Sequence, residues 1–173
     1  YNIEYWEIWN EPEGKQMWMG TQEEYFALYN TASKYLKEKF PHLKIGGYAS
    51  CGFYAIEKEY NADFANIGKT VKYYYQYIQD FLKFVTENNC PLDFFSWHSY
   101  ADASRIKVMD AWLKDELVKL GYPGLETHLN EWNPGVPLRG TLRDAANILA
   151  MMIALHETPT DMMMYYNFTS TSG

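Results

Sequence analysis

Residues 3–12 read Ile-Glu-Tyr-Trp-Glu-Ile-Trp-Asn-Glu-Pro, an aromatic and β-branched run that stops at a proline-containing turn. Such a run over residues 3–9 predicts a strand, and it leaves Glu11 at the strand's carboxyl end. Downstream, Thr21 and Glu24 form a capping box, and Tyr25, Leu28, Tyr29, Ala32 and Leu36 recur at helical spacing until Pro41. Residues 43–48, Leu-Lys-Ile-Gly-Gly-Tyr, predict the second strand. The alternation then continues with a loop over 49–68, a helix over 69–88, a strand over 93–97 and a helix over 105–120 that Gly121 ends. A strand over 125–130, a helix over 141–156 and a strand over 161–167 complete it. Strands that alternate with helices in this way make parallel βα units. The loop of about twenty residues is long for such a unit, which suits a substrate-facing excursion.

No linker of Pro, Gly or Ser divides these units, so residues 1–173 read as one domain. Two architectures fit the alternation, an open doubly wound sheet and a (β/α)8 barrel. An oxidoreductase or transferase on the open sheet would need a phosphate-binding glycine turn, and no Gly-x-Gly-x-x-Gly follows any strand.

A formal net charge of −7, without clustered Lys and Arg, argues against a nucleic-acid partner. No apolar run reaches the roughly 18 residues of a membrane span, so no membrane partner is expected. The chain opens at Tyr1 without Met, which leaves the compartment open, secreted and periplasmic locations included. Aromatic residues make up 18%, with 16 Tyr and 6 Trp; most such rings fill cores, and a few can stack on the C–H face of a sugar. Cys51 and Cys90 are too few for a disulfide framework and match no metal spacing, so free thiols are expected.

The chemistry concentrates at two strand ends. Trp9-Asn10-Glu11-Pro12 follows the first strand, and His128-Leu129-Asn130-Glu131-Trp132-Asn133-Pro134 closes the fourth. Parallel βα folds place their sites at the carboxyl ends of the strands, so Glu11 and Glu131 would point into one cleft. Two carboxyl groups about 5 to 5.5 Å apart suffice for retaining glycoside hydrolysis, one attacking the anomeric carbon and one protonating the leaving oxygen. Like-charge repulsion separates the two roles. Glu7 and Glu126 lie before their strand ends and suit structural salt bridges or surface positions, while His42, His156 and Glu157 suit helix-end and loop charges.

These motifs resemble clan A of the glycoside hydrolases, in which the acid/base follows the fourth barrel strand and the nucleophile the seventh. The text between them is most similar to glycoside hydrolase family 39, the β-xylosidase and α-iduronidase family. The likeness is carried by Trp6-Glu7-Ile8-Trp9-Asn10-Glu11-Pro12, Gly46-Gly47, residues 93–100 (Asp-Phe-Phe-Ser-Trp-His-Ser-Tyr) and Asn130-Glu131-Trp132-Asn133. The resemblance implies a (β/α)8 TIM barrel of which this chain covers about strands four to eight, since such a barrel takes about 250 residues. It implies Glu11 as general acid/base and Glu131 as nucleophile of a β-xylosidase-like enzyme, and an oligosaccharide or glycoside as partner. Asn10, by the same resemblance, hydrogen-bonds the sugar 2-hydroxyl, and His98 and Tyr100 line the subsite of the reacting sugar. Trp132 and Tyr166 complete the expected substrate-binding set, although the rings of Trp9 and Trp132 suit wall or core positions better than direct contact. The family commonly has a Trp at the end of the eighth strand, where this chain has Met162-Met163-Met164-Tyr165-Tyr166-Asn167-Phe168; Tyr166 or Phe168 is the expected substitute. No metal or organic cofactor is required, because two carboxyls and a water complete the reaction. A sheet lacking strands one to three would have open edges for self-association and little activity alone. The competing expectation is a carbohydrate-binding relative that keeps the cleft without turnover.

Overall fold

The computed structural model describes residues 3–56 and 68–167. Its elements are β1 (Tyr5–Glu7), α1 (Gln22–Lys39), β2 (Lys44–Ser50), α2 (Lys69–Glu87), β3 (Phe94–Ser99), α3 (Ala103–Lys119), β4 (Glu126–Trp132), α4 (Leu142–Leu155) and β5 (Met162–Tyr165). The five strands form one sheet in chain order, with every neighbouring pair parallel. Each expected strand and helix is present. The capping box that starts α1 is complete: the Glu24 amide donates to Thr21 Oγ1 at 3.2 Å and the Thr21 amide to Glu24 Oε2 at 2.7 Å. Asp102 and Thr141 cap α3 and α4 with the single bond, their side chains accepting from the amides of Arg105 and Asp144.

Strand limits differ from expectation by up to about two residues at each end, β3 and β4 running on to Ser99 and Trp132 and β5 stopping at Tyr165, and the first two strands differ for local reasons. The first strand is shorter than residues 3–9, because the chain turns out of the sheet at Trp9, whose φ is 74°. The second is longer, running to Ser50, so the loop that follows starts later than position 49; residues 57–67 of that loop, and Phe168, lie outside the described residues.

The convex face of the sheet is packed by the helices. Tyr25, Phe26 and Tyr29 of α1 and Tyr77, Phe81 and Val85 of α2 are buried against Ile45, Tyr48 and Phe95. Phe81 lies edge-on to Tyr29 and Tyr48, at centroid distances of 4.9 and 4.7 Å. The two tyrosines of α1 enter this core with their hydroxyls satisfied at its margin: Tyr25 donates to the Ile8 carbonyl at 2.8 Å and Tyr29 to that of Pro91 at 3.0 Å. A second aromatic group, Phe53, Trp97 and Trp112, fills the space under α3. Much of the high aromatic content is therefore core.

The concave face is polar, and its contacts show how far the sheet curls. Tyr5 of β1 donates to Glu126 of β4 at 2.8 Å, and Asn130 of β4 donates to Glu7 of β1 at 2.8 Å. On a flat sheet strands three places apart would be about 14 Å from one another. Side chains can meet across that gap only if the strands wrap toward each other as a half-barrel. Between them Phe94 stacks on His128 at 4.5 Å and Tyr5 meets Phe94 edge-on at 5.5 Å, while Lys44 pairs with Glu126. Among the described residues, no helix is long and apolar enough to cross a membrane.

Gly46 is required by this closure. A Cβ there would lie 2.3 Å from the Phe94 carbonyl oxygen and 2.5 Å from its ring, so backbone and ring would both have to shift. Gly46→Ala is expected to lower the unfolding free energy by about 1 to 3 kcal/mol, the usual cost of overpacking, as read by urea denaturation.

Candidate active site

At the carboxyl end of β1 the backbone takes two left-handed residues, Trp9 at φ 74° and Glu11 at φ 47°. Each costs roughly 1 to 3 kcal/mol in a non-glycine residue and persists only where the surroundings hold it. Here the Glu11 amide donates to the Ala49 carbonyl at 3.1 Å, the Gly14 amide to the Glu11 carbonyl at 2.9 Å, and Trp9 Nε1 to the Met17 carbonyl at 3.1 Å. The turn thereby aims the Glu11 side chain over the end of the sheet.

The other members come from β3 and β4. Up to Trp97 the two strands run in step, with Trp97 opposite Leu129; beyond it, His98 pairs with Glu131 and Ser99 with Trp132. One residue of β4, Asn130, is left over at this bulge. Without the slip, alternation would turn Glu131 toward the helices; with it, Asn130 and Glu131 both face the concave side.

The result is a compact cluster. His98 Nδ1, on a side chain only 2% exposed, lies 2.7 Å from Glu11 Oε1 and 3.7 Å from Glu131 Oε2. One donor atom from each of Glu11, His98 and Glu131 lies within 4.8 Å of the others, which is also close enough for the three to share a cation. The Tyr100 hydroxyl donates to Glu131 Oε1 in a short contact, and its own amide donates to the Tyr54 hydroxyl at 2.8 Å. Burial first, then the adjoining Glu131 carboxylate, pushes the Tyr100 phenol well above its ordinary value, so it stays a donor. Gly52, at φ 97°, passes flush against this strand end: a Cβ on it would lie 2.6 Å from the His98 carbonyl oxygen.

Of the residues expected from the sequence, Glu11, His98, Tyr100 and Glu131 are brought together. Asn10 is half-buried on the same turn. Tyr166 stands at the rim, 46% exposed, near enough to act electrostatically on Tyr100. Trp132 is a correction. The register slip turns its ring to the convex side, where it is 2% exposed and packs edge-on to Tyr165 at 5.2 Å, so it does not reach the cleft. Trp9 is 46% exposed and lies edge-on to Trp18.

Glu7, expected at a structural or surface position, Cys51, expected as a free thiol, and Glu13, which nothing in the sequence singles out, also belong here. Glu7 sits beneath the cluster with Ser96 and Asn130 as hydrogen-bond partners, and burial outweighs them to raise its carboxyl above the usual range. Glu126, by contrast, is the ion-pair residue expected of it. Glu13 is 3% exposed, and burial pushes its carboxyl up to about 7 against the hydrogen bonds that favour its charge. The groups acting on it or affected by it are Glu11 on the same turn, Tyr25 from α1, Tyr48 from β2, Cys51 beyond β2, and Tyr73, Tyr74 and Tyr77 from α2. Cys51, free like Cys90, has its thiol beside both Glu11 and Glu13. No periodicity distinguishes Glu13 from an ordinary turn charge in the sequence. A cavity of about 750 Å³ opens from Glu11, lined also by Glu13, Met17, Cys51, Tyr73 and Tyr74.

A parallel sheet curled into a half-barrel, with an acidic cluster where its strands end, defines a (β/α)-barrel protein with its site on the usual face. The chain belongs to family 39 of the glycosyl hydrolases, whose sequence model matches residues 2–172. It is 29% identical to a β-xylosidase of Caldicellulosiruptor saccharolyticus over 95% of this chain and 33% of that protein. A β-xylosidase of Geobacillus stearothermophilus is 27% identical, over 94% of this chain and 33% of its own length. The chain thus spans about one third of these relatives. Among solved structures, a glucosidase from Croceicoccus marinus superposes with a TM-score of 0.73 at 25% identity, covering 92% of this chain and 32% of that one. A family 39 β-xylosidase from Caulobacter crescentus gives 0.70 at 21% identity, covering 95% of this chain and 32% of that one, a likeness of fold.

The buried Glu13 generates a pH test. Its carboxyl titrates near 7 in the folded chain against about 4.5 ordinarily, so between these values the folded state holds the extra proton. Stability is then full below about pH 4.5, falls as pH rises toward 7, and levels off above it, a loss of about 3 kcal/mol from this group. Glu13→Gln is expected to flatten that fall in urea unfolding curves measured from pH 4 to pH 8; an unchanged slope would mean that Glu13 is not the group responsible.

Proposed function

We propose that the chain is the strand-four-to-eight part of a clan A retaining glycoside hydrolase, xylosidase-like in substrate, with Glu131 as nucleophile and Glu11 as general acid/base. The observation that carries this reading is the separation of the two carboxyl groups, within 4.8 Å oxygen to oxygen. Retaining enzymes hold theirs about 5 to 5.5 Å apart, whereas inverting enzymes leave roughly 6.5 to 9.5 Å for an intervening water. The names of the relatives supply the sugar class, and a β-xyloside is the substrate proposed.

In the first step a Glu131 oxygen bonds to the anomeric carbon as the bond from that carbon to the leaving oxygen breaks, and Glu11 gives its proton to that oxygen. In the second, a water attacks the same carbon, passes its proton to Glu11, and releases Glu131 from the ester. Tyr100 keeps one Glu131 oxygen in a fixed direction and leaves the other for attack. His98, between the two carboxyls, fixes Glu11. Asn10 is proposed to contact the sugar 2-hydroxyl, and Tyr166 to supply an aromatic surface at the rim; Trp132 has no part in binding.

The test uses the complete protein that carries this chain and aryl glycosides with an activated leaving group. Glu131→Gly is expected to lower kcat/KM by at least about 10³-fold. Added azide should restore turnover and give the glycosyl azide of inverted configuration, whereas with Glu11→Ala the azide product should keep the configuration of the substrate. Near-normal activity of Glu131→Gly, or the opposite pairing of products, would overturn the assignment; binding without turnover in the unaltered protein would favour a carbohydrate-binding relative.

A further inference from the structure

We infer that Glu13 is a positioning residue, which clamps the turn carrying Glu11 to the end of β2 and so holds the Glu11 carboxyl in line with the leaving oxygen; the inference rests on Glu11 being the acid/base. Glu13 lies two residues beyond Glu11 on a turn whose backbone is held in a left-handed conformation. Its Oε1 accepts from the Cys51 amide at 2.7 Å and from Ser50 Oγ at 3.1 Å. Ser50 Oγ in turn accepts from the Gly52 amide at 3.2 Å. A second tie joins the same two segments, from the Glu11 amide to the Ala49 carbonyl at 3.1 Å. The two bonds hold the strained residue from both sides, one on its own amide and one through a side chain just past it, and both oppose relaxation of the turn into an ordinary conformation.

The form of the clamp is unusual in what it lacks. Glu13 Oε2 is sealed from solvent and, among the described residues, has no hydrogen-bond partner and no lysine or arginine paired with its carboxyl. An ionised carboxylate so placed would be an uncompensated charge next to Glu11. Burial favours the neutral acid, which keeps the two accepted bonds through Oε1 without putting a second charge beside the acid/base. Glutamine has the same shape and acceptor, so it is the conservative replacement; alanine removes both bonds.

General acid help matters most when the leaving group is poor, and this separates positioning of Glu11 from a general structural role. In the complete protein, kcat/KM is measured for a 2,4-dinitrophenyl glycoside and for an alkyl glycoside of the same sugar. Glu13→Ala is expected to lose about 10²-fold on the alkyl glycoside, the scale of an ångström of misplacement, and under about threefold on the dinitrophenyl one. Glu13→Gln should stay within about threefold on both. Should Glu13→Ala fail to fold, Ser50→Ala removes one of the two donors and is expected to give a smaller loss of the same leaving-group dependence. Equal losses on both substrates, or none on either, would overturn the clamp. Glu11→Ala is the control: strong leaving-group dependence there with none in the Glu13 variants defeats the inference alone, whereas its absence in Glu11→Ala removes the acid/base assignment and the clamp with it.

Discussion

The one-residue slip between β3 and β4 is the constraint on which the site depends. Adjacent residues of a strand point to opposite faces, so Glu131 and Trp132 cannot both enter the cleft. The slip decides between them. It sets Glu131 opposite His98, close to Glu11, and sends the Trp132 ring into the packing beneath α4. Asn130, the extra residue at the slip, stays on the concave side that alternation from His128 gives it, and its amide holds Glu7 across the curl of the sheet.

The two faces of that sheet solve different problems. On the convex side, helices and aromatic rings exclude water, and the hydroxyls of Tyr25 and Tyr29 find carbonyls at the edge of the packing. On the concave side, Tyr5, Lys44 and Glu126 near the strand starts, and Glu7, Ser96 and Asn130 further along, form successive polar layers beneath the carboxyl cluster. Cross-strand hydrogen bonds of this kind give the strand ends fixed directions, which two carboxyls at a set separation require.

Much of this was legible in the chain. Strand and helix alternation came from periodicity and from the Thr21–Glu24 cap, and the pairing of Glu11 with Glu131 came from their equivalent positions at strand ends. Strand limits were less legible, because the left-handed turn at Trp9 is set by bonds to Ala49 and Met17, which no local pattern announces. The direction of Trp132 was hidden for a similar reason: a bulge is a property of two strands in register, and alternation within one strand points the other way. Glu13 escaped notice because its importance is burial, and burial here is made by Tyr25, Tyr48 and Tyr77 arriving from three other elements.

Gly52 carries a mechanical consequence. Where side chains meet, rotamer changes can absorb a small displacement, but the loop beyond β2 abuts the His98 carbonyl through main chain alone. Such a joint has no soft coordinate. A side chain at position 52 would therefore press on the main chain of the residue whose imidazole lies between the two acidic side chains.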